Sequence, residues 1–458
     1  MEVFGSSGAR GVANEELTPE FVTGVAGAAT SVWGADRVAV ARDTRTTGEM
    51  FAGAATAGVT SAGADADRLG VVPTPAVQAY AEREGVPAVV LTASHNPPEY
   101  NGVKLVGGDG AEPDIETVER IEARLDGGDG DAAAWDAVGH ERTVDGANDA
   151  YVEELLAGVD RERIAGAGLT VALDPGHGAG SLTSPEFLRR LGCAVRTVNA
   201  TPDGRFPGRD PEPVAENLPE LRRLVRATDA DVGVAHDGDA DRAVFVDETG
   251  AYVEGDATFA ALAAAELGPG DTLVSAVNVS QRVVDVVESA GADLELTAIG
   301  STNIMARIRE LEAAGETVPV AGEGNGGVVF PRHRLARDGA YTAARLLELL
   351  AERPLSDVAA DHGGYHNVRR NVPYESEAER DAVVAAAAER AREAESERDG
   401  EVEVTTTDGY RIDFGDGWVL ARPSGTEPLV RVYAEARDAD RAEELAAWMT
   451  GALRAAGD

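Results

Sequence analysis

The feature that most constrains this chain is a pattern that occurs three times along most of its length. Each copy opens with a short apolar strand, continues through a helical stretch and further strands, and closes with an apolar strand that runs into a loop rich in glycine or acidic residues. The opening strands are residues 38–41, 171–173 and 273–276, and the strand–loop junctions are residues 88–96, 231–239 and 318–327. In α/β layers, ligands collect beyond the carboxyl ends of the strands. The pattern therefore predicts three similar α/β domains whose loops face one shared centre.

The last segment has a different pattern, because short strands separated by tight turns lie between two helices. The predicted elements are a helix near residues 377–395, strands at 401–407, 418–421 and 430–435, and a helix near 438–455. This order is typical of a small antiparallel α+β domain. We therefore expect three similar α/β sheet domains plus a smaller C-terminal α+β domain around a central active-site cleft. The predicted domains are residues 1–148, 149–250, 251–366 and 367–458.

Charge limits the classes of partner. The 458 residues include 41 basic and 81 acidic side chains, a net charge of −40, which opposes binding to nucleic acids and anionic membranes. No apolar run reaches the ~18 residues of a membrane span. A single cysteine, Cys193, excludes an intrachain disulfide and fits a reducing compartment. We therefore expect a soluble cytoplasmic protein with neither a nucleic-acid nor a membrane partner.

Lysine is almost absent from the chain. Lys104 is the only one, and the other 40 basic residues are arginines. An acidic excess with so little lysine predicts a halophilic protein that stays soluble in concentrated salt. Drift of the coding sequence toward GC-rich codons is the alternative explanation.

The first loop, residues 92–104, carries a candidate nucleophile. Ser94 stands just beyond an apolar strand and beside His95, where its hydroxyl can attack or carry a phosphoryl group. The alternative is a turn in which Ser94 and Asn96 bind the backbone. Lys104 favours the functional interpretation, because its ammonium can donate a proton or contact a phosphate. Burial and the neighbouring cations Arg10 and Arg242 would lower the pKa of Lys104 toward neutrality, so that it can exchange protons, whereas a phosphate would raise it. The alternative is that Lys104 merely fits a pocket too small for a guanidinium.

The second loop carries a candidate metal site. Asp237, Asp239 and Asp241 alternate along it and supply hard oxygen ligands for Mg²⁺ or Ca²⁺. An EF-hand is excluded, since Arg242 occupies the position where that loop needs glycine. A solvated acidic turn is the alternative.

The third and fourth loops indicate sugar and phosphate binding. Glu323 and Asn325 stand among glycines, which suits hydrogen bonds to sugar hydroxyls, although a plain turn explains the pattern equally well. In the fourth loop, a guanidinium, two hydroxyls and a glycine amide form a plausible phosphate cradle or a hairpin turn. The residues of that cradle are Arg422, Ser424, Gly425 and Thr426. Together, the four loops indicate phosphoryl transfer on a phosphosugar.

These four loops, in this order, resemble those of the α-D-phosphohexomutase family over essentially the whole chain. The resemblance implies that Ser94 is a phosphoserine and that it completes, with Asp237, Asp239 and Asp241, a site for one Mg²⁺ ion. It implies that Glu323 and Asn325 bind sugar hydroxyls and that the fourth loop holds the phosphate that does not react. The residues that would line the reacting phosphate are Arg10, Lys104 and Arg242, with His95 beside them.

The same resemblance implies the reaction. A hexose 6-phosphate and its 1-phosphate, with glucosamine as the expected hexose, would interconvert through a hexose 1,6-bisphosphate intermediate. Gly327 departs from the pattern, because many members carry histidine there, and no role for that histidine can be transferred. A phosphomannomutase or phosphoglucomutase specificity, a metal-dependent sugar phosphatase and a non-catalytic sugar-phosphate sensor remain alternatives. The sequence leaves the oligomeric state open.

Overall fold

A computed structural model describes residues 8–127, 132–397, 402–424 and 427–457. Within this part of the chain the strands form four sheets, and helices cover them. Three sheets mix parallel and antiparallel strands, and the fourth is antiparallel throughout. The expected fold class, three similar α/β domains and a smaller α+β domain, is confirmed. The predicted domain boundaries stay a prediction.

The first sheet has six strands. They are β1 (Ala9–Val12), β2 (Arg37–Arg42), β3 (Asp65–Val71), β4 (Ala88–Leu91), β5 (Tyr100–Val106) and β6 (Glu141–Thr143). The helices of this domain are α1 (Pro19–Trp33), α2 (Gly48–Ser61), α3 (Thr74–Glu84) and α4 (Ile115–Gly127). The spatial order is β1-β5-β4-β2-β3-β6, with β2, β3 and β4 parallel and β5 antiparallel to β4. All four residues of β4 are buried apolar side chains, as expected of a strand inside a covered sheet.

The second domain begins with two helices and has five strands. The helices are α5 (Ala147–Ala157), α6 (Arg161–Ala167), α7 (Ser184–Arg190) and α8 (Pro219–Thr228). The strands are β7 (Thr170–Asp174), β8 (Ala194–Thr197), β9 (Val232–Ala235), β10 (Val244–Asp247) and β11 (Tyr252–Val253). Their spatial order is β11-β10-β9-β7-β8.

The third domain repeats this plan. Its strands are β12 (Thr272–Ala276), β13 (Asp293–Thr297), β14 (Ala321–Glu323), β15 (Gly327–Phe330) and β16 (Arg334–Arg337). Its helices are α9 (Gly255–Glu266), α10 (Gln281–Ala290), α11 (Ser301–Ala313), α12 (Gly339–Leu350) and α13 (Leu355–Ala360). Their spatial order is β13-β12-β14-β15-β16.

A shared topology places the loops. In each of the three sheets the opening strand (β2, β7 or β12) lies between two parallel neighbours, and the second of these (β4, β9 or β14) pairs with an antiparallel strand that follows it. The three predicted loops are the connections from that parallel strand to the antiparallel one. They therefore leave equivalent sheet edges.

The fourth domain is an antiparallel sheet with two long helices. Its strands are β17 (His366–Pro373), β18 (Glu403–Thr405), β19 (Tyr410–Asp413), β20 (Gly417–Pro423) and β21 (Leu429–Ala436), and its helices are α14 (Glu377–Glu397) and α15 (Ala439–Gly457). The spatial order is β17-β21-β20-β19-β18. Both predicted helices and all three predicted strands are present, whereas β17 and β19 were not predicted.

The first three domains share a cluster of buried apolar side chains, which the fourth domain does not join. One continuous cluster of buried apolar side chains contains residues from the first three sheets and their helices. The fourth domain has a separate cluster of its own, and it contacts the third domain through Val277, Trp418 and Leu420. None of the helices in the described part of the chain combines the length and the apolar composition that crossing a bilayer requires.

Candidate active site

The serine loop leaves the end of β4 in a constrained conformation. Ser94 is 1% exposed and has a φ of 50°, in the left-handed region that residues with a side chain rarely adopt. The hydroxyl of Thr92 accepts a hydrogen bond from the Ser94 backbone amide at 2.9 Å. This local contact helps to hold the Ser94 side chain directed at the neighbouring domain.

A buried arginine from a different segment organises the same loop. Arg45 follows β2, its side chain is fully buried, and it pairs with the equally buried Asp43 at 3.1 Å. Its guanidinium donates to four carbonyl oxygens, those of Ser94, Asn96, Pro97 and Tyr100. The planar donor geometry of a guanidinium suits several acceptors at fixed positions. Arg45 therefore ties β2 to the whole turn that carries Ser94.

The acidic loop between β9 and β10 packs directly against the serine loop. The Ser94 hydroxyl donates a hydrogen bond to Oδ2 of Asp237 at 2.7 Å. A Cβ atom on Gly238 would lie 2.6 Å from the carbonyl oxygen of Ser94, so glycine permits the close approach of the two loops. The structure thus joins the candidate nucleophile of the first domain to the acidic loop of the second, and the sequence analysis expected the two loops to face one centre.

Two carboxylates of this loop each have one oxygen that accepts hydrogen bonds and one that does not. Oδ2 of Asp239 accepts from Thr74 at 2.6 Å and from Lys104 at 3.2 Å. Oδ2 of Asp241 accepts from Lys104 at 2.8 Å and from Arg337 at 2.7 Å. Among the described residues, the Oδ1 atoms of Asp239 and Asp241 are buried and have no hydrogen-bond partner.

This arrangement fits a divalent cation. One carboxylate oxygen from each of the three aspartates can be chosen so that all lie within 4.8 Å of one another. Buried carboxylate oxygens without a donor are costly, and a hard cation such as Mg²⁺ accepts such ligands. The donor set therefore matches the metal that the sequence predicted.

The electrostatic environment differs between the members of the site. Burial, together with the charges of Asp241 and Asp239, raises the pKa of Asp237. For Asp241, burial also acts to raise the pKa, but Arg337, Lys104 and Arg242 outweigh it and hold the pKa well below its usual value. The triad thus combines one carboxyl that resists ionisation with one that is firmly ionised.

Lys104 differs from the expectation. Burial acts to lower its pKa, but Asp239 and Asp241 outweigh burial and raise it above the ordinary value. The sequence analysis expected neighbouring cations to lower this pKa. The ammonium contacts two carboxylates of the second domain, and their charges decide the direction.

The other predicted catalytic residues surround Ser94. Nδ1 of His95 lies 3.4 Å from the Ser94 hydroxyl oxygen, and burial followed by the charges of Arg242 and Arg10 lowers the pKa of His95 to about 2. Arg10 donates to Asn96 at 2.8 Å, and burial lowers its pKa to about 10. Nε of Arg242 lies 3.8 Å from Asp237. The structure therefore brings all five residues of the predicted catalytic set to one place.

The third loop and the fourth domain complete a cleft of about 640 Å³. Glu323 and Asn325 of that loop line the cleft, and so do His95 and Arg242, which lie beside Ser94 and Asp237. Nδ2 of Asn325 donates to Glu323 at 3.3 Å, so the two side chains are neighbours. Arg422, at the end of β20, lines the cleft from the fourth domain and pairs with Asp408 at 2.9 Å.

Two predicted residues of the phosphate cradle, Gly425 and Thr426, lie outside the described residues. The neighbouring Ser424 donates its backbone amide to the carbonyl oxygen of Leu429 at 2.8 Å. This bond lies at the end of the ladder between β20 and β21, which are antiparallel neighbours. The choice between a cradle and a plain turn therefore stays a prediction.

Several residues of the site were not identified from the sequence. In the fourth domain, Arg369 on β17 and Arg431 on β21 line the cleft together with Arg422. Nearer the serine, Arg45 and Arg337 hold the two central loops from other segments. Arg45 could have been identified from its position just after a strand of the first repeat. Arg337 could have been identified from its position at the end of a third-domain strand, where Asp-Gly follows it.

Comparisons with known proteins agree with this geometry. Models of the phosphoglucomutase/phosphomannomutase family match the chain in four parts, as α/β/α domains I, II and III at residues 1–130, 149–250 and 254–363, and as the C-terminal domain at residues 368–452.

Two curated relatives and one solved structure show the extent of the similarity. A "Phosphoglucomutase/phosphomannomutase" of Thermococcus kodakarensis is 42% identical over 455 residues, covering 97% of this chain and 96% of the relative. A "Probable phosphoglucosamine mutase" of Methanopyrus kandleri is 41% identical over 448 residues, covering 96% and 95%. The crystal structure of a phosphoglucomutase/phosphomannomutase family protein from Burkholderia thailandensis is 28% identical and superposes with a TM-score of 0.85, covering 99% of this chain and 97% of that one. The chain therefore belongs to the phosphoglucomutase/phosphomannomutase family, and it is a phosphohexomutase, an enzyme that transfers phosphate within a sugar phosphate.

Proposed function

We propose that the enzyme interconverts glucosamine 6-phosphate and glucosamine 1-phosphate through a phosphorylated Ser94. The observation that carries this proposal is the contact between the Ser94 hydroxyl and Asp237 beside a cleft that their neighbours His95 and Arg242 line together with three arginines of the fourth domain. A hexose bisphosphate has two charged groups, and this cleft offers cations from the second and from the fourth domain. The choice of glucosamine rests on the name of the Methanopyrus relative.

The reaction needs two phosphoryl transfers. In the first, the bond between phosphorus and Ser94 Oγ breaks, a bond to the free hydroxyl oxygen of the hexose phosphate forms, and the proton of that hydroxyl ends on Ser94 Oγ, which leaves as a neutral hydroxyl. The resulting 1,6-bisphosphate turns end for end, and its other phosphate returns to Ser94. Arg10 and Arg242 lie where they can offset negative charge on the transferring group.

Asp237, Asp239 and Asp241 would hold one Mg²⁺ ion, with an oxygen of phospho-Ser94 completing the set. The ion would neutralise charge on the phosphoryl group. The Oδ1 atoms of Asp239 and Asp241, which are buried and accept no hydrogen bond among the described residues, support this assignment.

The sugar ring and the phosphate that does not react would have separate contacts. Glu323 and Asn325 would bind hydroxyls of the ring, because both line the cleft. Arg422 would clamp the phosphate that does not react, helped by Ser424, Gly425 and Thr426. The ion pair between Arg422 and Asp408 would orient the guanidinium for this contact with the phosphate.

The test compares glucosamine, glucose and mannose phosphates side by side, with Mg²⁺ and a trace of hexose 1,6-bisphosphate. We expect isomerisation with the highest kcat/KM for glucosamine phosphate, a phosphate on the wild-type protein by intact-mass analysis, and neither in Ser94→Ala. Ser61→Ala, at the exposed end of α2, is the matched control.

The alternatives give different outcomes. Stoichiometric release of inorganic phosphate without isomerisation identifies a phosphatase, and binding without turnover identifies a sensor. A higher kcat/KM for glucose or mannose phosphate replaces the proposed sugar and leaves the mutase reaction intact. We further propose that the enzyme works in a reducing cytoplasm, where its one buried cysteine, Cys193, stays a thiol.

A further inference from the structure

The carboxylate of Asp241 is held from outside by a residue that no motif contains. Arg337 ends β16 in the third domain, and its guanidinium donates to Oδ2 of Asp241 in the second domain at 2.7 Å. The Arg337 side chain is 5% exposed and that of Asp241 is 2% exposed. A buried ion pair of this kind fixes the orientation of both side chains, because neither can exchange its partner for water.

Arg337 can occupy this position because position 327 is glycine. A Cβ atom on Gly327 would lie 2.7 Å from Cδ of Arg337 and 3.6 Å from its Nη1. The first of these distances is too short for two carbon atoms, so a side chain at 327 would displace Arg337. The same Cβ atom would lie 3.0 Å from Oδ1 of Asn325. The absence of a side chain at 327 and the presence of a cation at 337 are therefore complementary.

The same contact distinguishes the two oxygens of Asp241. Lys104 and Arg337 both donate to Oδ2, whereas Oδ1 accepts no hydrogen bond among the described residues and has Nε of Arg242 at 3.9 Å. Outer partners that bind one oxygen of a ligating carboxylate orient the other toward the metal, and their loss usually weakens metal affinity.

We infer that Arg337 is a positioning residue for the metal loop, and that Gly327 is required for this role. This inference rests on the proposed metal site. Arg337 holds Asp241 by Oδ2 and so leaves Oδ1 available to the metal, and it does so from β16 of the third domain. The third domain thereby contributes to a metal site whose ligands belong to the first and second.

The test measures binding of Mn²⁺ alone by isothermal titration calorimetry, without substrate. We expect Arg337→Met to weaken Mn²⁺ binding about tenfold or more, the usual effect of losing an outer partner. Arg337→Lys should lie between this variant and the wild type. Gly327→Ala should also weaken binding, although residue 327 contacts no carboxylate of the triad. Arg345→Met is the control, because it removes an ion-paired arginine from α12 in the same domain.

The double variant Gly327→Ala/Arg337→Met separates a linked effect from two independent ones. If Gly327 acts by making room for Arg337, the double variant binds Mn²⁺ no more weakly than Arg337→Met. Arg337→Lys and Gly327→Ala keep the buried charge, so they carry the test if Arg337→Met does not fold. Wild-type affinity in Arg337→Met and Arg337→Lys would overturn the inference, and so would additive losses in the double variant. A wild-type protein that binds no Mn²⁺ would instead remove the metal from the proposed function, and this inference with it.

Discussion

Replacing Arg45 with methionine should damage both the stability and the activity of the enzyme. The guanidinium of Arg45 is fully buried, and it joins Asp43 to four carbonyl oxygens of the turn that carries Ser94. Methionine fills a similar volume but donates no hydrogen bond. The change therefore leaves a buried carboxylate without its cation and a constrained turn without its anchor.

The expected loss of stability follows from the buried pair. Removing one partner of a buried ion pair costs about 3–5 kcal/mol. The entropy of unfolding is about 2.1 cal/mol/K per residue, or about 0.8 kcal/mol/K for a unit of roughly 360 residues such as the three domains that share a core. A loss of about 4 kcal/mol then lowers the melting temperature by about 5 °C. Removing the carboxylate as well, in Asp43→Asn/Arg45→Met, should recover part of this shift.

The expected loss of activity follows from the position of Ser94. Its φ of 50° persists because the surrounding contacts hold it, and Arg45 supplies several of them. A displacement of the serine oxygen by about 1 Å is enough to reduce kcat about 10²-fold. Arg45→Lys should keep most of the stability but lose activity, since an ammonium has fewer donors than the turn has acceptors.

Differential scanning fluorimetry and steady-state kinetics measure the two effects. Arg190→Met is the control, because the Arg190–Glu153 pair is exposed and such pairs contribute about 1 kcal/mol or less. An Arg45→Met protein with an unchanged melting temperature and normal kcat would refute the account of the serine turn.

Four further outcomes are expected. Lys104→Arg and Lys104→Met should each lower kcat about 10²-fold or more, because the space between the two carboxylates fits an ammonium, and its loss would displace Asp239 and Asp241; a near-normal Lys104→Arg would leave only a role for the charge. Asp239→Asn should weaken Mg²⁺ affinity in calorimetry, and chelation should stop the wild-type enzyme until Mg²⁺ is restored; normal turnover in the chelator would contradict this. Glu435→Gln should lower the melting temperature and raise KM, because the buried carboxylate on β21 accepts from the hydroxyl of Ser280 and from the first amide of α10, and so holds the fourth domain on the third; an unchanged KM would argue against that role. The melting temperature should rise from dilute buffer to molar salt, since screening weakens the repulsion of a net charge of −40; a maximum in dilute buffer would reject the proposed salt adaptation.

The order of the loops could be predicted because the three α/β domains share one topology. A strand followed by a glycine-rich or acidic loop has the same meaning in each repeat, so Ser94, Asp237 and Glu323 could be assigned to one centre. The strand β17 could not be predicted in this way. Its eight residues include only two valines and one proline among polar and charged side chains, so it has no apolar run, and all but one of them are exposed or half-buried.

The residues that hold the site loops in place could not be predicted from local sequence patterns. Arg45 acts through backbone carbonyls some fifty positions away, and Arg337 contacts an aspartate in another domain. The direction of the Lys104 pKa depended on the same kind of information. Its nearest charges are Asp239 and Asp241, and no spacing in the sequence places residues of the second domain beside it.

The arginines of the cleft also govern how a substrate reaches the enzyme. A hexose phosphate diffuses toward a molecule that carries a net charge of −40, so the far field slows its encounter. That repulsion extends about 30 Å at 0.01 M ionic strength and about 3 Å at 1 M. The attraction of Arg369, Arg422 and Arg431 for the substrate exceeds the repulsion only within the cleft that they line. The association rate should therefore rise with salt until the ions themselves occupy the guanidinium groups. The proposed bisphosphate, with more charge than either substrate, is repelled most strongly once it leaves, so its half-turn depends on short-range contacts that keep it from escaping.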